Sequence, residues 1–276
     1  MALFGLIKPK CPVPEHEWEW LLAGLRWLEE EFPRGGEAVG AAQLILPTPD
    51  YFPSVPADIE QRAIVLFERT KRLADLDGWP TELVAYQNEN PLALISPALL
   101  GQHKWSDAAG TFQMLPDADG GWFARISYDV ELLHYPEAYI ATMAHELAHY
   151  LLSGAKRCPP GGWDLHELAT DLAAVWMGFG VLLANDAKVF EGYSDHDRSG
   201  WRAGTRGYLN ERAILTATAL CSALRRDDVM VAAPHLKPYL RKGLKEVWQF
   251  VKGVDVEAAM AQIDLNDFGV EEINDQ

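Results

Sequence analysis

Apolar residues recur at intervals of three and four between positions 15 and 31, where Trp18, Leu21, Leu22, Leu25 and Leu28 mark one face of a helix. Pro47, Pro49, Pro53 and Pro56 break that pattern and predict an extended loop. A second helix follows over about Ala57 to Asp77, closed by Gly78 and Pro80. From Thr81 the period changes. Glu82 to Gln87, Leu92 to Ser96, Thr111 to Leu115 and Trp122 to Tyr128 are short, β-branched or aromatic, and separated by turn residues such as Asp119-Gly120-Gly121. They predict a small, mostly antiparallel sheet. Helical spacing then returns: Pro136 suits a first turn, and Ile140, Met143, Leu147 and Leu151 form an apolar face. Gly154 suits the C-terminus of that helix, and Pro159-Pro160-Gly161-Gly162 forces a loop. Beyond the loop, Leu172, Ala173, Val175, Trp176, Phe179, Leu182 and Leu183 read as a largely buried helix. Asn210 to Arg226 and Leu236 to Val251 predict two more, the latter striped by Leu240, Leu244, Val247, Trp248 and Val251. The fold class expected is α+β, with helices on both sides of the sheet in sequence.

The helix that begins near Pro136 carries His145-Glu146-Leu147-Ala148-His149. Side chains at i and i+4 leave a helix from one face, so both imidazoles can reach a single zinc ion. Glu146 lies about 100° further round. From there it is placed to accept a proton from a water on that metal, the role this pattern assigns to its glutamate in zinc peptidases. The plain alternative is a core helix whose histidines simply make hydrogen bonds.

A catalytic zinc takes three protein ligands and leaves a fourth position for water. A third histidine six residues after the second, with a glycine between, would be the metzincin arrangement, but Leu152 and Ala155 stand at those places. A glutamate from a second helix is the other common solution, and Glu167 in His166-Glu167-Leu168-Ala169-Thr170-Asp171 supplies one. Carboxylates in the first turn of a helix also complement its macrodipole, so Glu167 and Asp171 have a purely structural reading as well. Cys158 lacks a CxxC partner and is read as a loop residue.

Across residues 136 to about 184 the chain resembles the gluzincin group of zinc metallopeptidases, in which HExxH is followed by ExxxD. The resemblance implies that Glu167 binds zinc beside His145 and His149, and that Asp171 hydrogen-bonds a ligand histidine and fixes its orientation. It also implies a zincin-like order of sheet, active-site helix and ligand helix. His166 departs from the thermolysin version, which has asparagine before the glutamate, and leaves open whether His166 contributes. In such enzymes an edge strand beside the metal pairs with an extended substrate, and Trp122 to Tyr128 is the candidate for a strand near the cleft. On this reading residues 1–276 form one zincin-like domain: 1–80 helical, 81–185 the sheet and metal-site core, and 186–276 helical again.

Hydrolysis through a tetrahedral intermediate needs a donor aimed at the developing oxyanion. His196, in the polar run Glu191 to Arg198, and Tyr208 are the candidates. Asp195 and Asp197 equally suit His196 to an ordinary ion-paired loop. His16, His103, His134 and His235 have no motif around them.

The formal net charge of −16 disfavours nucleic-acid phosphate as a partner. Much of it needs no reading beyond solubility. Part of it lies in the tail from Asp264 to Gln276, which has no basic residue and is expected to be loosely ordered. Three widely spaced cysteines, Cys11, Cys158 and Cys221, point away from a disulfide framework and toward a reducing, cytoplasmic compartment. The apolar patch before Lys8 is too short for a signal-peptide core, and the run from Leu172 to Ala184 is too short for a membrane span. The expectation is a zinc-dependent peptidase acting on a peptide or protein substrate. Its alternatives are a catalytically inactive zinc-containing peptide-binding or sensing module, and a metal-free helical protein-interaction domain.

Overall fold

The structure is a computed structural model that describes residues 10–33, 43–53, 56–86, 110–191 and 208–273, with the backbone alone for 188–191. It is α+β, mainly helical with one small sheet. Helix α1 (Glu15–Glu31) follows the expected stripe and goes further: Trp20 through Leu25, Trp27 and Leu28 are all buried, so it lies within the core rather than on it. Its Trp20 indole N–H donates to the Pro160 carbonyl at 2.9 Å, tying α1 to the Pro/Gly loop.

Helix α2 (Ile59–Leu73) starts at Asp58, whose carboxylate accepts the Gln61 N–H at 2.8 Å. It ends short of the Asp77 expected from sequence. The cause is Asp75, which adopts φ 64 while the Leu76 N–H reaches back to the Lys71 carbonyl at 3.0 Å. This is a Schellman stop with aspartate in the place glycine usually takes.

Strands β1 (Thr81–Tyr86), β2 (Gly110–Pro116) and β3 (Trp122–Asp129) form a sheet of order β1-β3-β2. The β2–β3 pair is antiparallel, with Gly110 opposite Tyr128 and Pro116 opposite Trp122. The Asp117 carboxylate organises the turn between them by accepting the N–H groups of Asp119 and Gly121. The β1–β3 pair is parallel, with Thr81 opposite Ala124, so the sheet is mixed and not mostly antiparallel. Strand alternation specifies which face is buried but carries no information on strand direction. The expected strand at 92–96 lies outside the described residues. Trp122 to Tyr128, the candidate cleft strand, is the central strand of the described sheet and is paired on both sides. It therefore has no free edge for a substrate.

Ala124, Ile126 and Tyr128 turn one face of β3 into the core, where the helix α3 (Pro136–Leu152) is buried nearly all round. Helix α4 (His166–Ala174) then packs on α3. The single helix expected across 167–183 is instead interrupted. A π-helical turn, Val175–Phe179, contains Gly178 at φ 105, and helix α5 (Gly180–Glu191) starts afresh beyond it. A side chain at Gly178 would collide with the Gln43 carbonyl, and the Gly178 carbonyl itself accepts the Ile45 N–H at 3.0 Å. The interruption lets the 43–46 segment cross the helix pair. By length and composition the stretch Trp163–Ala187 is apolar enough to cross a membrane, but its most apolar 18-residue window is 89% buried inside this fold.

Helices α6 (Glu211–Leu224), α7 (Pro238–Val251) and α8 (Val256–Ala261) complete the core, which extends from Val13 to Val270. The acidic tail is not loose through residue 273. The Gly161 N–H bonds the Phe268 carbonyl, the Cys158 N–H bonds the Glu271 carbonyl, and the Ile273 N–H bonds the Lys156 carbonyl. The tail thereby clamps the loop that joins α3 to α4, and the Cys158 thiol sits within that clamp, against the Gly269 carbonyl and the Glu271 N–H.

Candidate metal centre

Helix α3 presents His145 and His149 one turn apart, and α4 crosses it so that Glu167 faces both. His145 Nε2 and His149 Nε2 are 3.1 Å apart. Glu167 Oε2 lies 3.3 Å from the first and 3.5 Å from the second. Ligand atoms at about 2.0–2.1 Å from a tetrahedral zinc stand roughly 3.3 Å from one another, so this triangle has the dimensions of a zinc coordination face. Among the described residues it is the one cluster of three or more His, Cys, Asp or Glu side chains suited to hold a metal.

The donor chemistry agrees with the spacing. Glu167 Oε2 is buried and makes no hydrogen bond, although two imidazole nitrogens stand within ion-pair range. A buried carboxylate oxygen so placed needs positive charge beside it, which a protonated imidazole or a cation among the three atoms supplies. The residues present fit a divalent metal with two nitrogen donors and one oxygen donor.

Each histidine is held from behind. His145 Nδ1 is 2.9 Å from Asp171 Oδ1, and the other Asp171 oxygen accepts the Leu209 N–H at 2.8 Å. His149 Nδ1 lies 3.3 Å from the hydroxyl of Thr170. The His149 ring is flanked by Phe112 on β2, stacked at 12° with centroids 6.0 Å apart, and by His166 at 5.0 Å. Trp163 continues the row at 5.4 Å from His166 and is 52% exposed, so the rings extend from the centre to the surface.

Electrostatically the pocket is a compensated one. Burial, the largest single influence on His145, disfavours its charged form, but the combined pull of Asp171 and Glu167 raises its pKa well above the ordinary value. Burial likewise acts to raise the Glu167 pKa, and is outweighed by the two histidines, which hold it well below the usual carboxylate range. Glu146 behaves differently. It is 5% exposed, and burial raises its pKa despite the opposing pull of His149 and His145. A raised carboxylate pKa beside a metal site suits a group that must take up and release a proton.

The strand beside this centre is β2. Its first residue, Gly110, lies so close to α3 that a Cβ there would meet Thr142 Cγ2 at 2.6 Å and Glu146 Oε1 at 2.9 Å. Tyr208 is near the His145, His149 and Glu167 triangle, its ring 5.4 Å from that of His145, and it lines a small pocket with His145 and Asp171. His196 lies outside the described residues. Thr170 was missed in the sequence, where its signal was its position three residues after Glu167 and next to Asp171 on one helix face. Nothing in the sequence separates Phe112 from the other apolar residues of its strand. Compared with protein-family models, curated proteins and solved structures, the chain gives no match.

Proposed function

We propose that this protein is a zinc-dependent metallopeptidase of gluzincin type, which hydrolyses peptide bonds with Glu146 as general base. The observation that carries the proposal is the triangle of His145 Nε2, His149 Nε2 and Glu167 Oε2, with edges of 3.1, 3.3 and 3.5 Å. His145, His149 and Glu167 would hold the metal. When bound there, zinc supplies Lewis-acid polarisation of the scissile carbonyl and lowers the pKa of a water.

The remaining steps belong to side chains. Glu146 takes the proton of the attacking water and delivers it to the leaving amine, a transfer that its buried, raised-pKa carboxyl suits. Tyr208, beside His145, is the candidate donor to the developing oxyanion, with His196 as the alternative. Asp171 holds the His145 ring in the orientation that leaves Nε2 for the metal.

The test is metal content and peptide-library cleavage for wild type, Glu146→Gln and Glu167→Ala. The reading expects about one zinc per chain in wild type and Glu146→Gln, loss of zinc in Glu167→Ala, and cleavage by wild type alone. Zinc without turnover in wild type would leave a metal-containing binding module. Wild type that takes up no zinc on titration would end the metal reading altogether.

A further inference from the structure

We infer that Thr170 is a positioning residue for the metal centre, its hydroxyl oxygen accepting the Nδ1–H of His149 and so keeping the His149 Nε2 lone pair for the cation. The inference rests on the metal site proposed above and concerns what orients its second histidine.

The direction of the hydrogen bond follows from counting protons. A threonine hydroxyl has one hydrogen and two lone pairs. Thr170 Oγ1 lies 2.9 Å from the carbonyl oxygen of His166, one turn earlier on α4, and a carbonyl can only accept. The hydrogen is committed there. What Thr170 offers His149 Nδ1 at 3.3 Å is therefore a lone pair, so Nδ1 carries a proton, and in the neutral ring Nε2 is left with its lone pair free for a cation. Thr170 is 0% exposed, which keeps bulk water from competing for that lone pair.

The opposite tautomer would place a hydrogen on Nε2, toward the His145 nitrogen and the Glu167 oxygen, and block coordination. Glu167, Thr170 and Asp171 stand at i, i+3 and i+4 on α4, and this single helix face thereby supplies a ligand and the rear partner of each histidine. The two rear contacts differ in kind. Asp171 is a carboxylate at 2.9 Å, whereas Thr170 is a neutral acceptor at 3.3 Å, and the rings of Phe112 and His166 also flank His149.

The experiment measures zinc affinity by chelator competition on the full chain for wild type, Thr170→Val and Thr170→Ser, with a thermal melt of each metal-free protein. Valine keeps the shape and removes the acceptor; serine keeps the acceptor. Zinc binding roughly 10–100-fold weaker in Thr170→Val, restored in Thr170→Ser, is the expected result. Equal affinity in wild type and Thr170→Val overturns the inference, as does equal weakening in both variants, which would assign Thr170 a packing role. Wild type that binds no zinc overturns the metal reading itself and is recognised before any variant is compared. Long-range proton–nitrogen NMR of zinc-loaded wild type decides the matter should Thr170→Val not fold: His149 protonated at Nδ1 supports the assignment, and His149 coordinating through Nδ1 sinks it.

Discussion

Asp171 links His145 to the chain leading into α6, accepting from the imidazole Nδ1 at 2.9 Å with one oxygen and from the Leu209 N–H at 2.8 Å with the other. The contact places Tyr208 beside the triangle of His145, His149 and Glu167 as well as orienting His145. Asp171→Asn is expected to weaken zinc binding about 10–100-fold, because the amide removes the charge that supports His145 and can present an N–H where an acceptor is needed. Chelator competition measures the loss. Unchanged affinity would show that His145 needs no anchor.

Gly110 sets how closely β2 approaches α3. Gly110→Ala places a methyl within 3 Å of Thr142 Cγ2 and Glu146 Oε1, so the strand or the Glu146 side chain must move. Turnover is expected to fall roughly 10–100-fold with zinc content intact, since a displacement on the order of 1 Å at a reacting group is enough for that loss. Steady-state cleavage beside metal analysis separates the two. Loss of zinc together with activity would mean that the disturbance reached the histidines.

Glu29 offers a pH test far from the centre. Burial, reinforced by Glu257 and Glu30, pushes its carboxyl up to about 7, and one of its oxygens is buried without a hydrogen bond. A carboxyl raised in the folded state binds protons more tightly there than in the unfolded chain. Its effect on stability is absent below about pH 4.5, where both states are protonated, and grows unfavourable as pH rises to about 7. Glu29→Gln is expected to stabilise the protein above pH 7 by about 1 kcal/mol, allowing for partial solvent screening, and to do nothing at pH 4. Denaturant melts at both pH values test it. Equal stabilisation at both would assign the effect to something other than the charge.

Arg226 closes α6 in the left-handed region at φ 61, with the Asp227 N–H reaching back to the Ser222 carbonyl at 2.9 Å. Its side chain is exposed. Arg226→Gly is expected to raise stability by about 0.5–1 kcal/mol, because glycine adopts this conformation without the Cβ clash. A lower melting temperature would mean that the arginine side chain contributes more than its backbone costs.

His145, Glu146 and His149 were legible from spacing alone, because a helix places i and i+4 on one face wherever it forms. The stripe of α1 and the turn residues Asp119-Gly120-Gly121 were legible for a similarly local reason. Glu167 and Asp171 could be named as candidates, but their meeting with α3 depends on α4 packing across it, a contact between residues some twenty positions apart. Thr170 is not legible in the sequence, because a buried threonine on an apolar helix is ordinary and only the packing of α4 on α3 sets it beside His149. Gly178 lies inside an apolar run of helical spacing, yet the crossing of 43–46 turns it into the point where the helix breaks. The parallel β1–β3 pairing, and the placement of β2 rather than β3 beside the histidines, follow from strand order, which alternation of side chains does not encode. The helical faces and the chemistry they carry follow from residue order, because they depend on neighbours within a turn; which faces meet follows only from the folded chain, because it depends on how the whole set of apolar surfaces is buried at once.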